Sequence, residues 1–423
     1  MRFIYSLLVY LAAPLISAAL LWRGLRDRSY WHNFGERFGF GPPLKTACIW
    51  VHAVSVGEVQ ASAALVSTLR QRYPEVPIVV TTFTPTGANR ARLLFQDQAQ
   101  VRYLPYDLPG CVRRFFARVR PRLAVIFETE LWPNLYRECG RLRVPLVLAS
   151  ARLSSRSVGR YRRIGALFRE TLSQGVVVAA QGEVDANRFR ELGADPDSTH
   201  VTGNLKFDFD VPADIADRGR RLREHYGAGR PVWVAGSTHG GGEEEALIEA
   251  HKRVRSLHPR ALLVMAPRHP NRFGEVAELL DRERVRSIRR SQEPACTAIE
   301  EAEVLLLDTL GQLLDFYAAA DVAFVGGSLV KIGGHNLLEP AALGLPILTG
   351  PNNFNSEEIA RALIACGAAE VVRGPEELGD RVVALLSDPD ARARIGAEAR
   401  AFVDANRGAL VKLMGLIVPL LEQ

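Results

Sequence analysis

Between Cys48 and the final third of the chain, apolar runs recur between stretches of helical spacing, and that alternation restricts the fold more than any other feature. The runs in the first half are "ACIWVHAVS", "PIVVTTF", "RLAVIFE", "VPLVLAS" and "GVVVAAQ". Those in the second half are "PVWVAGS", "ALLVMAP", "EVLLLD", "DVAFVGG" and "LPILTG". A strand that is apolar on both faces must be covered on both faces. Helices between such strands supply the cover and imply parallel pairing. Ten such runs are too many for one ordinary doubly wound sheet. Apolar periodicity stops in "GNLKFDFDVPADIADRGR", where Pro and Asp cluster. The expectation is an α/β chain with two Rossmann-like domains facing a cleft, over residues 29–205 and 206–423. With 423 residues, 48% of them hydrophobic, the chain can fill two cores. A single (β/α)₈ barrel is the alternative, weakened by the break in mid-chain.

Residues 1–28 stand apart. "FIYSLLVYLAAPLISAALLW", from Phe3 to Trp22, has twenty residues and no charge, enough to span a bilayer as a helix. Arg23, Arg26 and Arg28 follow it, against Arg2 and the amino group before it. The positive-inside rule favours a signal anchor with the body in the cytoplasm. A monotopic insertion and a buried core helix are the alternatives. The net charge of +6 points to anionic partners. Lysine occurs only at positions 45, 206, 252, 331 and 412, so a lysine inside a motif is informative. The five cysteines are scattered without a CxxC pair and read as reduced thiols, with no zinc site and no disulfide framework.

Five segments are candidates for chemistry. In "HAVSVGE", an apolar run ends on Gly57 and Glu58 just before a helical pattern. An acid there suits a helix N-terminus. It also sits where open α/β sheets place working groups, as a base. In "FETELWPNLYRE", Glu128 and Glu130 follow a strand two residues apart, which in extended backbone puts both carboxylates on one side. In "GNLKFD", Lys206 is able to offer a point charge to a phosphate or a developing anion. In "APRHPNRF", Arg268 and His269 form a basic pair at a strand end, suited to phosphate. The longest signal is "FVGGSLVKIGGHNLLEPAALGLPILTGPNNFN". Its glycines at 326, 327, 333 and 334 flank Lys331, and a helix is expected from about Asn336. Successive backbone N–H groups there would cradle a phosphate, and Glu339 is placed to accept from ribose hydroxyls. Gly311 and Gln312 open another loop before a helix, and "GSTHGGGEEE" opens a further strand-to-helix turn. Neither a P-loop nor a GxGxxG fingerprint is present. The DxD at Asp208 and Asp210 recurs elsewhere in the chain and reads as chance. No histidine set has metal-ligand spacing.

Together, "HAVSVGE", "FETELWPN", "ARLSSRS", "VTGNLKFD", "GSTH", "APRHP" and "GGHNLLEPAALGLPILTGP", in this order behind an N-terminal anchor, resemble the 3-deoxy-D-manno-octulosonic acid (Kdo) transferases of lipopolysaccharide assembly. The resemblance implies the GT-B glycosyltransferase fold. It implies transfer of Kdo from CMP-Kdo to a lipid A precursor at the cytoplasmic face of the inner membrane. Since Arg268, Lys206 and the glycine-loop N–H groups can offset the charge of the leaving phosphate, neither a metal nor another cofactor is expected, and no nucleic acid. By position in the motifs, the resemblance implies Glu58 as general base and Glu128 and Lys206 as transition-state stabilisers. It implies CMP contacts at Arg268 and His269, at Gly311, Gln312 and Leu313, and at Asn336, Leu337, Leu338 and Glu339. The chain departs from the family pattern at Gly240, Leu337 and Asn352, where Glu, Pro and His are common. Two rivals remain at this level. A membrane-tethered nucleotide or lipid carrier has no use for a base at Glu58, and a nucleotide-sugar epimerase of the same fold has no need of the anchor.

Overall fold

The computed structural model describes residues 1–153, 158–159, 165–295 and 301–422. Residues 154–157 of the "ARLSSRS" motif, and Cys296, lie outside the described residues. The chain divides into two compact units. One comprises Met1–Asp210 together with Asn406–Gln423, the other Val211–Ala405.

The first unit holds strands β1 (Cys48–His52), β2 (Ile78–Thr82), β3 (Gln100–Tyr103), β4 (Pro121–Phe127), β5 (Leu146–Ala151), β6 (Val176–Ala180) and β7 (Thr199–Val201). They form one sheet in the order β3-β2-β1-β4-β5-β6-β7. Every pairing is parallel, with Trp50 opposite Val79 on one side and Ala124 on the other. The second unit holds β8 (Val232–Thr238), β9 (Leu262–Pro267), β10 (Ser287–Arg289), β11 (Val304–Leu306), β12 (Val322–Val325), β13 (Ile347–Thr349) and β14 (Ala369–Val371). Their order is β10-β11-β9-β8-β12-β13-β14, again all parallel. The central strands are buried along their whole length, which is why they read as unbroken apolar runs. The barrel alternative is excluded by two open sheets.

Each sheet carries a core on both faces. Trp50, Phe115, Phe116, Tyr136 and Phe189 pack on one side of the first sheet. Val51, Leu69, Phe95 and Phe127 pack on the other, joined by Leu413, Met414, Ile417 and Leu421 of the last helix, Ala409–Leu421. The boundaries expected from sequence therefore change. The first unit runs past residue 205 to Asp210, so Lys206 belongs to it, and the C-terminal helix returns to it rather than to the second unit. The physical reason is visible at Asp208, whose carboxylate accepts from the backbone N–H groups of Gly408 (2.7 Å) and Leu410 (2.5 Å) and holds the start of that helix.

The N-terminal helix runs unbroken from Arg2 to Arg26 through Pro14. It is the one helix among the described residues long and apolar enough to cross a membrane. One side touches the first unit along most of its length. Arg2 pairs with Glu170 at 3.1 Å, Tyr5 Oη donates to Asp107 (2.9 Å), and Ser6 Oγ donates to Asn134 (3.0 Å). Val9, Ala13 and Leu20 pack on Tyr106, Leu108 and Cys111. The opposite side, with Phe3, Leu7, Leu8, Leu11, Leu15 and Leu25, is exposed.

Candidate functional site

In the first unit the working residues collect at the carboxyl ends of β1, β4 and the segment after β7. Ser55 caps the helix Val56–Ala61, and Glu58 answers it. Ser55 Oγ donates to Glu58 Oε1 at 2.8 Å, and the Glu58 N–H points back at Ser55 Oγ at 3.3 Å. The sequence S-x-x-E is that of a capping box, with the glutamate reaching the serine hydroxyl in place of its N–H. Glu58 Oε2 also accepts from the N–H of Val54 at 2.9 Å. The side chain is thus fixed by the helix start while its carboxylate stays in the acidic cluster. Burial raises its pKa, the charge of Glu128 adds to the rise, and the two hydrogen bonds and Lys206 oppose it. The carboxylate is a stronger base than a free one.

Glu128 lies just beyond β4 with φ of +57°, a left-handed conformation that costs a non-glycine residue energy. Its N–H is held by the carbonyl of Ala149 at 3.0 Å. From there its Oε1 accepts from Lys206 Nζ at 2.8 Å. Lys206 sits in a short turn whose start is fixed by the Asn204 side chain, which accepts from the Lys206 N–H at 2.9 Å. Sequence reasoning expected Glu128 and Glu130 to share a side through extended backbone. They do fall in one electrostatic cluster with Glu58, but a left-handed turn, not a strand, brings them there. Glu130 Oε2 accepts from Trp132 Nε1 at 2.9 Å, and Trp132 stacks on Phe83. Burial, then repulsion from Glu58, pushes the Glu130 carboxyl up to about 7. Three carboxylates and one lysine therefore share a half-buried site, and the lysine is bound to Glu128.

In the second unit, β8, β9 and the loop after β12 bring their carboxyl ends together. Glycine decides how the loop closes. The N–H groups of Gly333 and Gly334 both reach back to the carbonyl of Gly327 (3.0 and 2.9 Å), and all three have positive φ. A Cβ at Gly334 would meet Asn353 Oδ1 at 2.4 Å. Of the glycine loop expected to cradle a phosphate, the stretch Gly327–Leu329 already holds an internal anion. The buried carboxylate of Glu243 accepts from the N–H groups of Gly327 (2.8 Å), Ser328 (3.1 Å), Leu329 (3.1 Å) and His239 (2.9 Å). The sequence signal for this was the acidic run of "GGGEEE", at the first turn of the helix Glu243–Leu257.

The other expected contacts divide by burial. Arg268 and His269 are exposed at the end of β9, and the Arg268 N–H is fixed by the carbonyl of Thr238 at 3.0 Å. Asn336 donates to Glu339 Oε1 (3.0 Å) and accepts from the N–H of Leu338 (3.0 Å). Leu337 and Leu338 are only 1% and 2% exposed, so their side chains serve the core and leave only backbone for a ligand. Gln312 is the residue before the helix Leu313–Ala318, and its Oε1 accepts from Thr309 (2.7 Å) and Arg290 (3.2 Å). Gly311 before it has φ of +82°, which the loop requires, and Leu313 packs against the core beside Phe316 and Tyr317. Two residues outside the expected set stand beside Arg268. His239 Nε2 lies 2.8 Å from His335 Nε2, and His269 meets the His239 ring edge-on. Each histidine follows a glycine-rich or strand-end motif already singled out, but only the fold brings the three together.

Comparison with known proteins agrees with these two units. The family model described as "3-Deoxy-D-manno-octulosonic-acid transferase (kdotransferase)" matches residues 32–209, and that of "Glycosyl transferases group 1" matches residues 245–402. A 3-deoxy-D-manno-octulosonic acid transferase of Haemophilus influenzae is 40% identical, covering 100% of this chain and 99% of the relative. One from Bordetella pertussis is 38% identical over 96% of each chain. Among solved structures, a glycosyltransferase of Rickettsia africae superposes with a TM-score of 0.56 at 14% identity, over 89% of this chain and 100% of that one. A UDP-GlcNAc 2-epimerase of Neisseria meningitidis also reaches 0.56 at 14% identity, over 88% and 100%. The fold is thus GT-B-like, and it is shared by transferases and epimerases alike, so fold alone does not choose between them. The full-length sequence relationship does: this chain is a glycosyltransferase that belongs to the 3-deoxy-D-manno-octulosonic acid transferase family of lipopolysaccharide biosynthesis.

Proposed function

We propose that the chain transfers Kdo from CMP-Kdo to a lipid A precursor, with inversion at the anomeric carbon and without a metal ion. The observation that carries the reading is the Glu58 carboxylate, buried, held in one orientation and raised in basicity beside the Glu128–Lys206 pair. An acceptor hydroxyl gives its proton to Glu58 as its oxygen bonds to the anomeric carbon. The bond from that carbon to the phosphate oxygen breaks on the opposite face, and the electron pair leaves with CMP. Lys206, steered by Glu128, offsets negative charge near the reacting centre. Arg268 and His269 meet the departing phosphate. Asn336 and Glu339 take the ribose, and the loop Gly311–Leu313 and the backbone of Leu337 and Leu338 complete the nucleotide contacts. A metal-free route is supported by the bonding of Asp208, the one acid of "DFD" in a position to lead a metal motif, which is committed to two backbone N–H groups.

The N-terminal helix is read as an in-plane anchor at the inner membrane. A helix of 25 residues is about 37 Å long. Its first residues bond to the same unit as its last turns pack on, so the long apolar side is presented sideways.

The test of the catalytic reading is Glu58→Gln. The glutamine oxygen still accepts from Val54 or Ser55, so the fold and CMP affinity should be retained. Transfer should fall by about 10²–10⁴, the usual contribution of a general base. Turnover within a few-fold of the parent, followed by mass spectrometry of the lipid product, would show that Glu58 is only a helix cap.

A further inference from the structure

We propose that His239 and His335 form a proton-coupled anion site, a pair that is neutral when empty and takes up one proton when a phosphate dianion lies against it. The inference rests on the reading that this unit receives the nucleotide donor, and deepens it.

The geometry fixes the chemistry. The two rings are parallel within 5° with centroids 5.0 Å apart, and Nε2 faces Nε2 at 2.8 Å. Two nitrogens at that distance share one hydrogen. One Nε2 donates, the other accepts, and the accepting ring carries its own hydrogen on Nδ1. The donating ring then has a bare Nδ1. A single added proton has one place to go, that bare nitrogen. Once it is there, both Nδ1 atoms are N–H donors, and among the described residues neither has a hydrogen-bond partner. The proton thus adds a positive charge to the pair and a second Nδ1–H donor.

The fold makes this arrangement deliberately. A Cβ at Gly327 would come within 3.0 Å of the His335 ring, so the glycine loop lies flat against the imidazoles. Glu243 holds the His239 N–H and the loop N–H groups in one grip, which fixes both histidines to the same frame.

The charged groups around the pair set its sign. From the loop after β9 come Arg268, His269 and Arg272, all basic. From the helix Glu243–Leu257 come Glu243, whose carboxylate is taken up by four backbone N–H groups, and Glu244, which pairs with Arg272. On the His335 side lie Asn336 and Glu339, bonded to each other. Burial first, then these cations, lowers both imidazoles, His335 to about 4. The empty pair is neutral at pH 7. A dianion supplies the missing counter-charge and favours the protonated form, so binding consumes a proton and tightens as pH falls from 8. That trend ends where the phosphate itself takes a proton, at about pH 6. The coupling suits a leaving group. The donor phosphodiester carries one negative charge and the departing monoester carries two, and the pair answers the second.

The test uses the full-length protein in detergent and two arms. In the first, CMP is titrated calorimetrically at pH 7.5 in two buffers of different ionisation enthalpy. The expected result is net uptake of about one proton by the parent, none on binding cytidine, and none on CMP binding to His239→Asn or His335→Asn. Equal heats in both buffers for the parent, the same uptake with cytidine, or uptake that survives in both variants would each overturn the inference. The second arm follows the nine histidines by ¹³Cε1 NMR, with the two variants giving the assignments, during titration with inorganic phosphate. Uptake of about one proton at pH 7.5 requires the pair's titration to move from below about pH 6.5 to above about pH 8 when phosphate is bound. No movement overturns it. If CMP fails to bind at all, the donor assignment falls, and the phosphate arm alone decides the histidine pair.

Discussion

Glu243→Gln should loosen the glycine loop of the second unit, and the size of the effect follows from counting donors. Four backbone N–H groups converge on the Glu243 carboxylate, from His239, Gly327, Ser328 and Leu329. The side chain is fully buried, so water does not compete. A carboxylate has lone pairs for all four. A glutamine has one oxygen, able to serve two, and turns an NH₂ toward the other two donors. At least two charge-assisted bonds are lost, each worth about 1.5–3 kcal/mol. The gross loss is therefore about 3–6 kcal/mol. Part of it is offset, because the buried carboxylate is itself costly, as the rise of its pKa with burial indicates. We take the lower end, about 3 kcal/mol, which is about a hundredfold in an opening equilibrium. Hydrogen exchange read on a peptide spanning residues 322–332 measures it directly. The Gly327, Ser328 and Leu329 N–H groups should exchange about a hundredfold faster, while those of β8 stay protected. Glu244→Gln is the control, because Glu244 bonds Thr238 and Arg272 side chains and no loop N–H group. Exchange within about threefold of the parent would refute the claim that this carboxylate replaces a bound anion in the loop.

Glu130→Gln should stabilise the protein at pH 8 and leave it unchanged at pH 4. The folded carboxyl lies near 7, above its ordinary value of 4.5, so the folded state holds the proton longer and the parent loses stability as pH rises from 4.5 through 7. Thermal melts across that range check it, and a glutamine variant with the parent's pH slope would be inconsistent with it. Arg268→Ala should weaken CMP by about 1.5–3 kcal/mol, the range for a hydrogen bond to a charged group. Glu339→Ala should also weaken CMP, and neither change should alter binding of an acylated acceptor analogue. The opposite pattern in calorimetry would move the donor to the first unit. Turnover should survive excess EDTA; activity that chelation stops and a divalent ion restores would exclude the metal-free route.

The strands that sequence missed have one thing in common. β3 and β7 are the two edges of the first sheet, and β10 and β14 are the two edges of the second. An edge strand is covered less and pairs on one side only. "QVRY", "THV", "SIR" and "AEV" therefore lack the unbroken apolar run that marks the ten interior strands. The return of the helix Ala409–Leu421 was illegible for another reason. Its apolar residues state that it must be buried, but not in which unit, and the choice depends on Asp208, two hundred residues earlier.

The candidate site was legible where one residue's neighbours in sequence are also its neighbours in space. Glu58 is the instructive case. The helix-cap reading and the base reading competed on the sequence, yet both describe the same side chain. The cap bonds from Val54 and Ser55 hold the carboxylate still, and its burial beside Glu128 keeps it basic. A residue anchored by its own helix start needs no further support to stay oriented, so the two readings reinforce each other. The glycine loop is the converse. Its composition states that backbone N–H groups will converge, but composition does not say on what. Glu243 lies more than eighty residues away, and by filling the nest it frees the loop to do something else. Gly333 and Gly334 fold back on Gly327 and deliver the His335 ring to His239. Beside that loop the second unit presents side chains, Arg268 and the imidazoles of His239, His269 and His335, of which the sequence pointed only to Arg268 and His269. Side chains that titrate can respond to a change of charge during the reaction. Backbone N–H groups cannot.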